Sequence, residues 1–242
     1  MRSPRPWPRA TPEPAHGALA TLPIERASMS RVAIKICGVS TPDAIEAALN
    51  GGASHIGFMH FPKSPRHLSL AQMADLAPCV RGALRSVAVL VDPDDALIDA
   101  VIAAGAPHIL QLHGREEPAR VAAIAARTGL EIWKVISVKT AADLAAGSAY
   151  AGAAHRLLYD AKTPDDAPRP GGMGQRFDWS LLVGHRAPLP WALSGGLAPT
   201  NVAEAIRATG ASLVDVSSGV ENAPGIKDVD KIAAFCKAVS QC

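Results

Sequence analysis

Cys37 closes the apolar run "VAIKIC" and is followed at once by Gly38, while Asp160 closes the run "RLLYD" far along the chain. A thiol at the end of a buried strand, if its surroundings activate it, is a base or a nucleophile, and a carboxyl group is a proton donor. Set on opposite walls of one cavity, the two form what an isomerisation needs: one group takes a proton from carbon while the other protonates a departing or ring oxygen. Free cysteine is also among the most buried residue types, so Cys37 read alone would most often be a small core hydrophobe, and its place at a strand end is what favours chemistry. The core reading is preferred for Cys79, Cys236 and Cys242.

Other residues ask for a charged small molecule. Arg66 in "SPRH" follows a rigid proline, and its planar guanidinium is shaped to clamp a carboxylate. "LSGGL", with Gly195 and Gly196, and "DVSSGVE", running from Asp215 through Ser217 and Ser218, bring glycines and small hydroxyl residues whose backbone N–H groups can approach an anion closely. Together the two stretches predict a phosphate site. His113 ends the run "HILQLH"; His55, His60 and His67 are scattered without ligand spacing, so no metal site is expected.

These residues need a frame that brings strand ends together. From Val32 onward, short runs of β-branched and aliphatic residues alternate with Ala-rich segments of helical period, the pattern of repeated βα units on a parallel sheet. Eight strands can be read: "VAIKIC", "SHIGFM", "LRSVAVLV", "HILQLH", "EIWKVI", "RLLYD", "PWALSG" and "SLVDVSS". The clearest helices are "TPDAIEAALNGG" and "APTNVAEAIRATG", each read as opened by proline near its start and closed by glycine. Eight units predict a single (β/α)8 TIM barrel over 31–242. In such a barrel, chemistry belongs at the carboxyl ends of the strands, where Cys37, Arg66, His113, Asp160, Gly195, Gly196 and Asp215 all fall. An open dinucleotide-binding sheet is disfavoured because only "CGVS", and no GxGxxG, follows the first strand.

Composition narrows the partners. The 242 residues carry 24 basic and 22 acidic side chains, a formal net charge of +2, so neither nucleic acid nor an anionic membrane surface is expected. The four cysteines show no CxxC spacing, which fits free thiols in a reducing cytoplasm. Residues 1–30 hold six prolines and no periodic apolar stretch; they are expected to be a disordered, dispensable tail, with Met29 as an alternative start. The oligomeric state, monomer or homodimer, is left open.

Taken in order, "KICG", "GFMHFPKSPRHL", "LQLHG", "LLYDAK", "PGGMGQRFDW", "LSGGL" and "DVSSGVE" closely resemble the phosphoribosylanthranilate isomerase family of tryptophan biosynthesis, from about Val32 to the C-terminus. The resemblance implies an Amadori rearrangement with no metal or organic cofactor. It implies Cys37 as general base and Asp160 as general acid. Arg66 would bind the anthranilate carboxylate, the backbone of Gly195, Gly196, Ser217 and Ser218 would bind the phosphate, and His113 and Asp215 would line the floor beside the sugar. Lys162, Gln175 and Arg176 depart from the residues common in the family, and none of them is the implied acid or base. Two rivals are weighed: a sister indole-glycerol-phosphate synthase, which would need a catalytic lysine, and a silent phosphosugar-binding barrel, which would have lost the acid or the base.

Overall fold

The computed structural model describes residues 32–162, 174 and 176–242, so the tail expected over 1–30 lies outside the described residues. Eight parallel strands close into one barrel in chain order: β1 (Ala33–Cys37), β2 (His55–Met59), β3 (Arg85–Leu90), β4 (Ile109–Leu112), β5 (Glu131–Val138), β6 (Arg156–Ala161), β7 (Trp191–Leu193) and β8 (Leu213–Val216). Each of the eight expected runs forms its strand. Closure pairs β1 with β8 and sets Lys35 opposite Asp215.

Helices α1 (Pro42–Asn50), α2 (Leu70–Leu76), α3 (Asp95–Gly105), α4 (Pro118–Thr128), α5 (Ala141–Ala145), α6 (Val202–Thr209) and α7 (Val229–Ser240) follow the strands. Between β6 and β7 the described residues hold only a 3₁₀ turn, Trp179–Leu182. α1 forms as its sequence predicts: Thr41 caps it by accepting from Ala44 N, Pro42 opens it, and Ala44, Ile45 and Ala48 form its buried stripe. α6 starts later than expected. Pro199 sits in the preceding turn, and the helix begins after Asn201, whose side chain accepts from Ala198 N at 2.8 Å and donates to Gly196 O at 3.0 Å. The asparagine stabilises that turn with its own amide, a competition with helix typical of this residue.

Alternation along each strand divides the core. Ile34, Ile36, Leu110, Leu112, Leu157, Tyr159, Val214 and Val216 point outward to the helices. Cys37, Val87, Val89, Ile109, Trp133, Val135, Leu158, Ala192 and Leu213 fill the barrel. The same parity sends Lys35, Gln111, Ser194 and Asp215 inward, all buried, so an apolar plug around Trp133 gives way to a polar layer toward the carboxyl ends. After β8 the chain forms a short hairpin, β9 (Glu221–Ala223) with β10 (Ile226–Lys227).

Candidate active site

Cys37 is the last residue of β1 and is 6% exposed, with its side chain inside the barrel. Gly38 then turns the chain at φ +74°, and a Cβ there would fall 2.5 Å from Arg66 Cδ. The glycine of "KICG" therefore serves two needs: a left-handed turn, and room for the arginine arriving from the loop after β2.

Burial pushes the Cys37 thiol above its ordinary range, and Lys35 opposes that push by charge and by hydrogen bonding. Lys35 is fully buried two residues earlier on the same face. Its Nζ donates to Asp215 Oδ1 at 2.9 Å, and Asp215 Oδ2 accepts from Ser194 Oγ at 3.3 Å. Asp215 thus lies beneath the mouth as the anchor of a buried lysine.

Asp160 comes from β6, three strands from β1 around the barrel. Its Oδ1 accepts from Ala161 N at 2.9 Å, and its Oδ2 lies 3.5 Å from His113 Nε2. His113, just past β4, therefore sits against the candidate acid. Its Nε2 is buried with no hydrogen-bond partner among the described residues, placing a ring nitrogen beside the carboxylate. Gly195 follows β7 with φ +88°, and a Cβ there would strike Ala161 N at 2.7 Å and Asp160 Oδ1 at 3.1 Å. Only glycine lets this loop lie along the acid.

Arg66 is buried, with its side chain already partnered. Nε and Nη2 donate to Glu221 Oε1 and Oε2, both at 2.7 Å. Glu221 also accepts from Lys227 Nζ at 2.7 Å, and these two cations hold its carboxyl below the usual range against the upward push of burial. Lys227 continues to Ser217 O at 3.0 Å, while Ser217 Oγ donates to Cys37 O at 3.1 Å. The loop after β8 is in this way tied to the end of β1. Ser218 begins a 3₁₀ turn, Ser218–Val220, beside it.

The expected residues fall into two groups. Cys37 with Arg66, joined by Gly38, and Asp160 with His113 and Gly195, stand on different sectors of one rim. Gly196, Ser217 and Ser218 belong to the loops after β7 and β8. No motif of the sequence marks Lys35, Glu221, Lys227 or Gly57 as site residues. For Lys35 strand parity is a signal, because it puts the lysine on the face of Cys37. Glu221 and Lys227 meet Arg66 only through folding, with no local pattern to announce it. Gln175 and Gly171 of "PGGMGQRFDW" lie outside the described residues; Arg176 packs its guanidinium over Trp179 at 5.5 Å. No group of His, Cys, Asp and Glu among the described residues is arranged to hold a metal ion.

A closed (β/α)8 barrel with a buried thiol and a carboxyl group at the carboxyl ends of its strands has the form of a barrel enzyme, whose active sites lie at that face. The profile of the N-(5′-phosphoribosyl)anthranilate (PRA) isomerase family matches residues 34–238, and the chain belongs to that family. It is therefore an enzyme, an isomerase of tryptophan biosynthesis. The N-(5′-phosphoribosyl)anthranilate isomerase of Paramagnetospirillum magneticum is 51% identical over 207 residues, covering 86% of this chain and 96% of the relative. That of Rhodopseudomonas palustris is 52% identical, again over 86% of this chain. Among solved structures, the Thermotoga maritima isomerase superposes with a TM-score of 0.79 at 33% identity, covering 87% of this chain and all of that one. A phosphoribosylanthranilate isomerase crystallised with reduced 1-(o-carboxyphenylamino)-1-deoxyribulose 5-phosphate gives 0.76 at 31% identity, covering 87% of this chain and all of that one.

Proposed function

We propose that the chain rearranges N-(5′-phosphoribosyl)anthranilate to 1-(2-carboxyphenylamino)-1-deoxy-D-ribulose 5-phosphate by general acid–base catalysis, without metal or organic cofactor. The carrying observation is the pair Cys37 and Asp160, set on the inward face at the carboxyl ends of β1 and β6 over one polar floor. Asp160 donates its proton to the ribose ring oxygen as the C1′–O bond breaks, and the anilino nitrogen lone pair forms the C1′=N bond of a Schiff base. Cys37 as thiolate then takes the proton from C2′. The C–H electrons form C1′=C2′, and the C=N pair returns to nitrogen. The resulting enolamine becomes the ketone by gaining a proton at C1′ and losing the one on its 2′-hydroxyl, and the product keeps every atom of the substrate. His113, 3.5 Å from Asp160, is placed to orient the acid.

Binding follows from the remaining groups. Glu221 occupies the Nε–Nη2 edge of Arg66, leaving the end-on Nη1–Nη2 edge for the anthranilate carboxylate. The phosphate is assigned to the backbone of Gly195, Gly196, Ser217 and Ser218. The related isomerase was crystallised with a ligand that carries both a carboxyphenyl group and a phosphate, which supports a site with a place for each. A cytoplasmic site of action is assigned on the free thiols of Cys37, Cys79 and Cys242. The test is a fluorescence assay of phosphoribosylanthranilate consumption by the purified chain. Consumption abolished in Asp160→Asn supports the reading, and a folded wild-type chain that leaves the substrate untouched overturns it.

A further inference from the structure

The base in this mechanism faces an electrostatic difficulty. Cys37 is buried, burial disfavours a thiolate, and the same burial removes the water that would otherwise stabilise it. The groups facing the sulfur come from several elements: Lys35 on β1, Asp215 on β8 and Lys227 on β10, with Glu221 on β9 and Arg66 of the loop after β2 behind Lys227. These side chains are at most 5% exposed. Among the described residues, and before substrate brings its own carboxylate to Arg66, three cations stand against two carboxylates, an excess of one buried positive charge. A thiolate at Cys37 supplies the missing negative charge.

The three cations are not equivalent. Arg66 is held by both oxygens of Glu221, and Lys227 is held by Glu221 and by the Ser217 carbonyl. Lys35 has Asp215 on one side, and the sulfur is its other partner. Gly57, opposite on β2, makes this meeting possible, because a Cβ there would fall 2.8 Å from Cys37 Sγ and 3.3 Å from Lys35 Nζ. The two atoms share one gap that only a glycine leaves open.

We propose that Lys35 is the positioning residue that makes Cys37 a usable base: its ammonium, anchored by Asp215, is the counter-ion of the thiolate. The inference rests on the reading of Cys37 as base, and it assigns the lysine no contact with substrate. During turnover the thiolate accepts the C2′ proton, Lys35 keeps its own, and the Lys35–Asp215 pair stays charged throughout.

The experiment is an ultraviolet titration of the Cys37 thiolate in the full chain across the alkaline range, read as the difference from a Cys37→Ala counterpart so that the other cysteines cancel. Lys35→Met should leave roughly tenfold less thiolate at a fixed pH, a midpoint displaced upward by about one unit. Its kcat should fall roughly tenfold or more with KM held, since only the base is weakened. Lys134→Met, which removes an equally buried lysine elsewhere, should leave the midpoint unmoved. An unmoved midpoint in Lys35→Met overturns the proposal. Should Lys35→Met fail to fold because Asp215 is left unpaired, Lys35→Met/Asp215→Asn buries no lone charge. It should show a smaller upward displacement, and its absence overturns the proposal equally. Near-normal turnover in Cys37→Ser, whatever the titration gives, would instead remove the base reading on which the inference stands.

Discussion

Two lysines on the barrel strands, among the described residues, are buried and paired with a carboxylate, and they do different things. Lys134 lies on the outward-facing side of β5, where it donates to Glu116 Oε2 at 2.7 Å and to Gly114 O at 2.8 Å. Glu116 Oε1 accepts from Asp92 N at 2.9 Å, so the pair fastens the loops after β3 and β4 to the barrel wall. Every direction of that lysine meets a carbonyl or a carboxylate. Lys35 lies on the inward face of β1 and has Asp215 on one side only; its other neighbour is a thiol that can change charge. Burying an ion pair stabilises a protein little in itself, because desolvation offsets the attraction. What the comparison teaches is that the neighbour decides the role: a saturated pair is a fastener, and a pair with an ionisable third member is part of the chemistry.

The sharpest break in the comparison is at the thiol itself. Cys37→Ser replaces it with a hydroxyl far less acidic, and loss of a positioned general base costs roughly 10² to 10⁴ in rate, so kcat should fall by that order with substrate binding retained. Asp160→Asn should fall comparably. Steady-state kinetics on each folded variant decides, and near wild-type turnover in Cys37→Ser would leave the residue a core hydrophobe. The fastener should respond in the other currency. Lys134→Met leaves Glu116 buried without its cation and should cost about 3 kcal/mol of stability, read by urea unfolding, with kcat per folded molecule intact. A kcat loss as deep as that of Cys37→Ser would erase the distinction between the two lysines.

Sequence and structure meet unevenly along this contrast. All eight strands are legible because doubly covered strands must be apolar runs of limited length, and Thr41 with Pro42 announces α1. The start of α6 is not, since Asn201 turns its amide back onto Gly196 and Ala198, a choice that propensity cannot rank against Pro199 at N1. At the candidate site, residues at or next to the carboxyl ends of strands are legible by position, as Cys37, His113 and Asp160 are. Lys35 is harder: a charge inside an apolar run carries no sign of its partner, and Asp215 is supplied by barrel closure. Glu221 and Lys227 sit in a hairpin after β8 with no periodicity, and Glu221 meets Arg66 across 155 residues of chain.

The opposite end of the barrel extends the comparison to a group that must stay neutral. His55 packs against Trp133 with ring centroids 5.0 Å apart. Burial, helped by the cations Lys35, Arg85 and Arg156, lowers its pKa to about 4. A folded-state pKa below the unfolded one means stability that is present above the unfolded value and lost as pH falls toward the folded one. Between about pH 7 and about pH 5 the loss should reach about 2 kcal/mol from this residue. Urea unfolding at the two pH values in the wild type and in His55→Gln isolates it, and an equal loss in both would assign the acid sensitivity elsewhere.

The smallest change tests the gap in which thiol and ammonium meet. Gly57→Ala adds one methyl group, which would stand 2.8 Å from Cys37 Sγ, 3.2 Å from Cys37 Cα and 3.3 Å from Lys35 Nζ. Backbone on one side cannot give way easily, so the sulfur and the ammonium must move by a few tenths of an ångström. Misplacement of a reacting group by about 1 Å can cost 10²-fold, so a fraction of that displacement should lower kcat about tenfold while KM, set by the phosphate and carboxylate contacts, changes little. Gly105→Ala is the matched control, because the added methyl would meet Met73 Cε at 3.2 Å, the free end of a flexible side chain that can turn aside. Equal kcat in the two alanine variants would show that the sulfur tolerates displacement, and that the closeness of Lys35 to Cys37 is packing without consequence for the proton transfer.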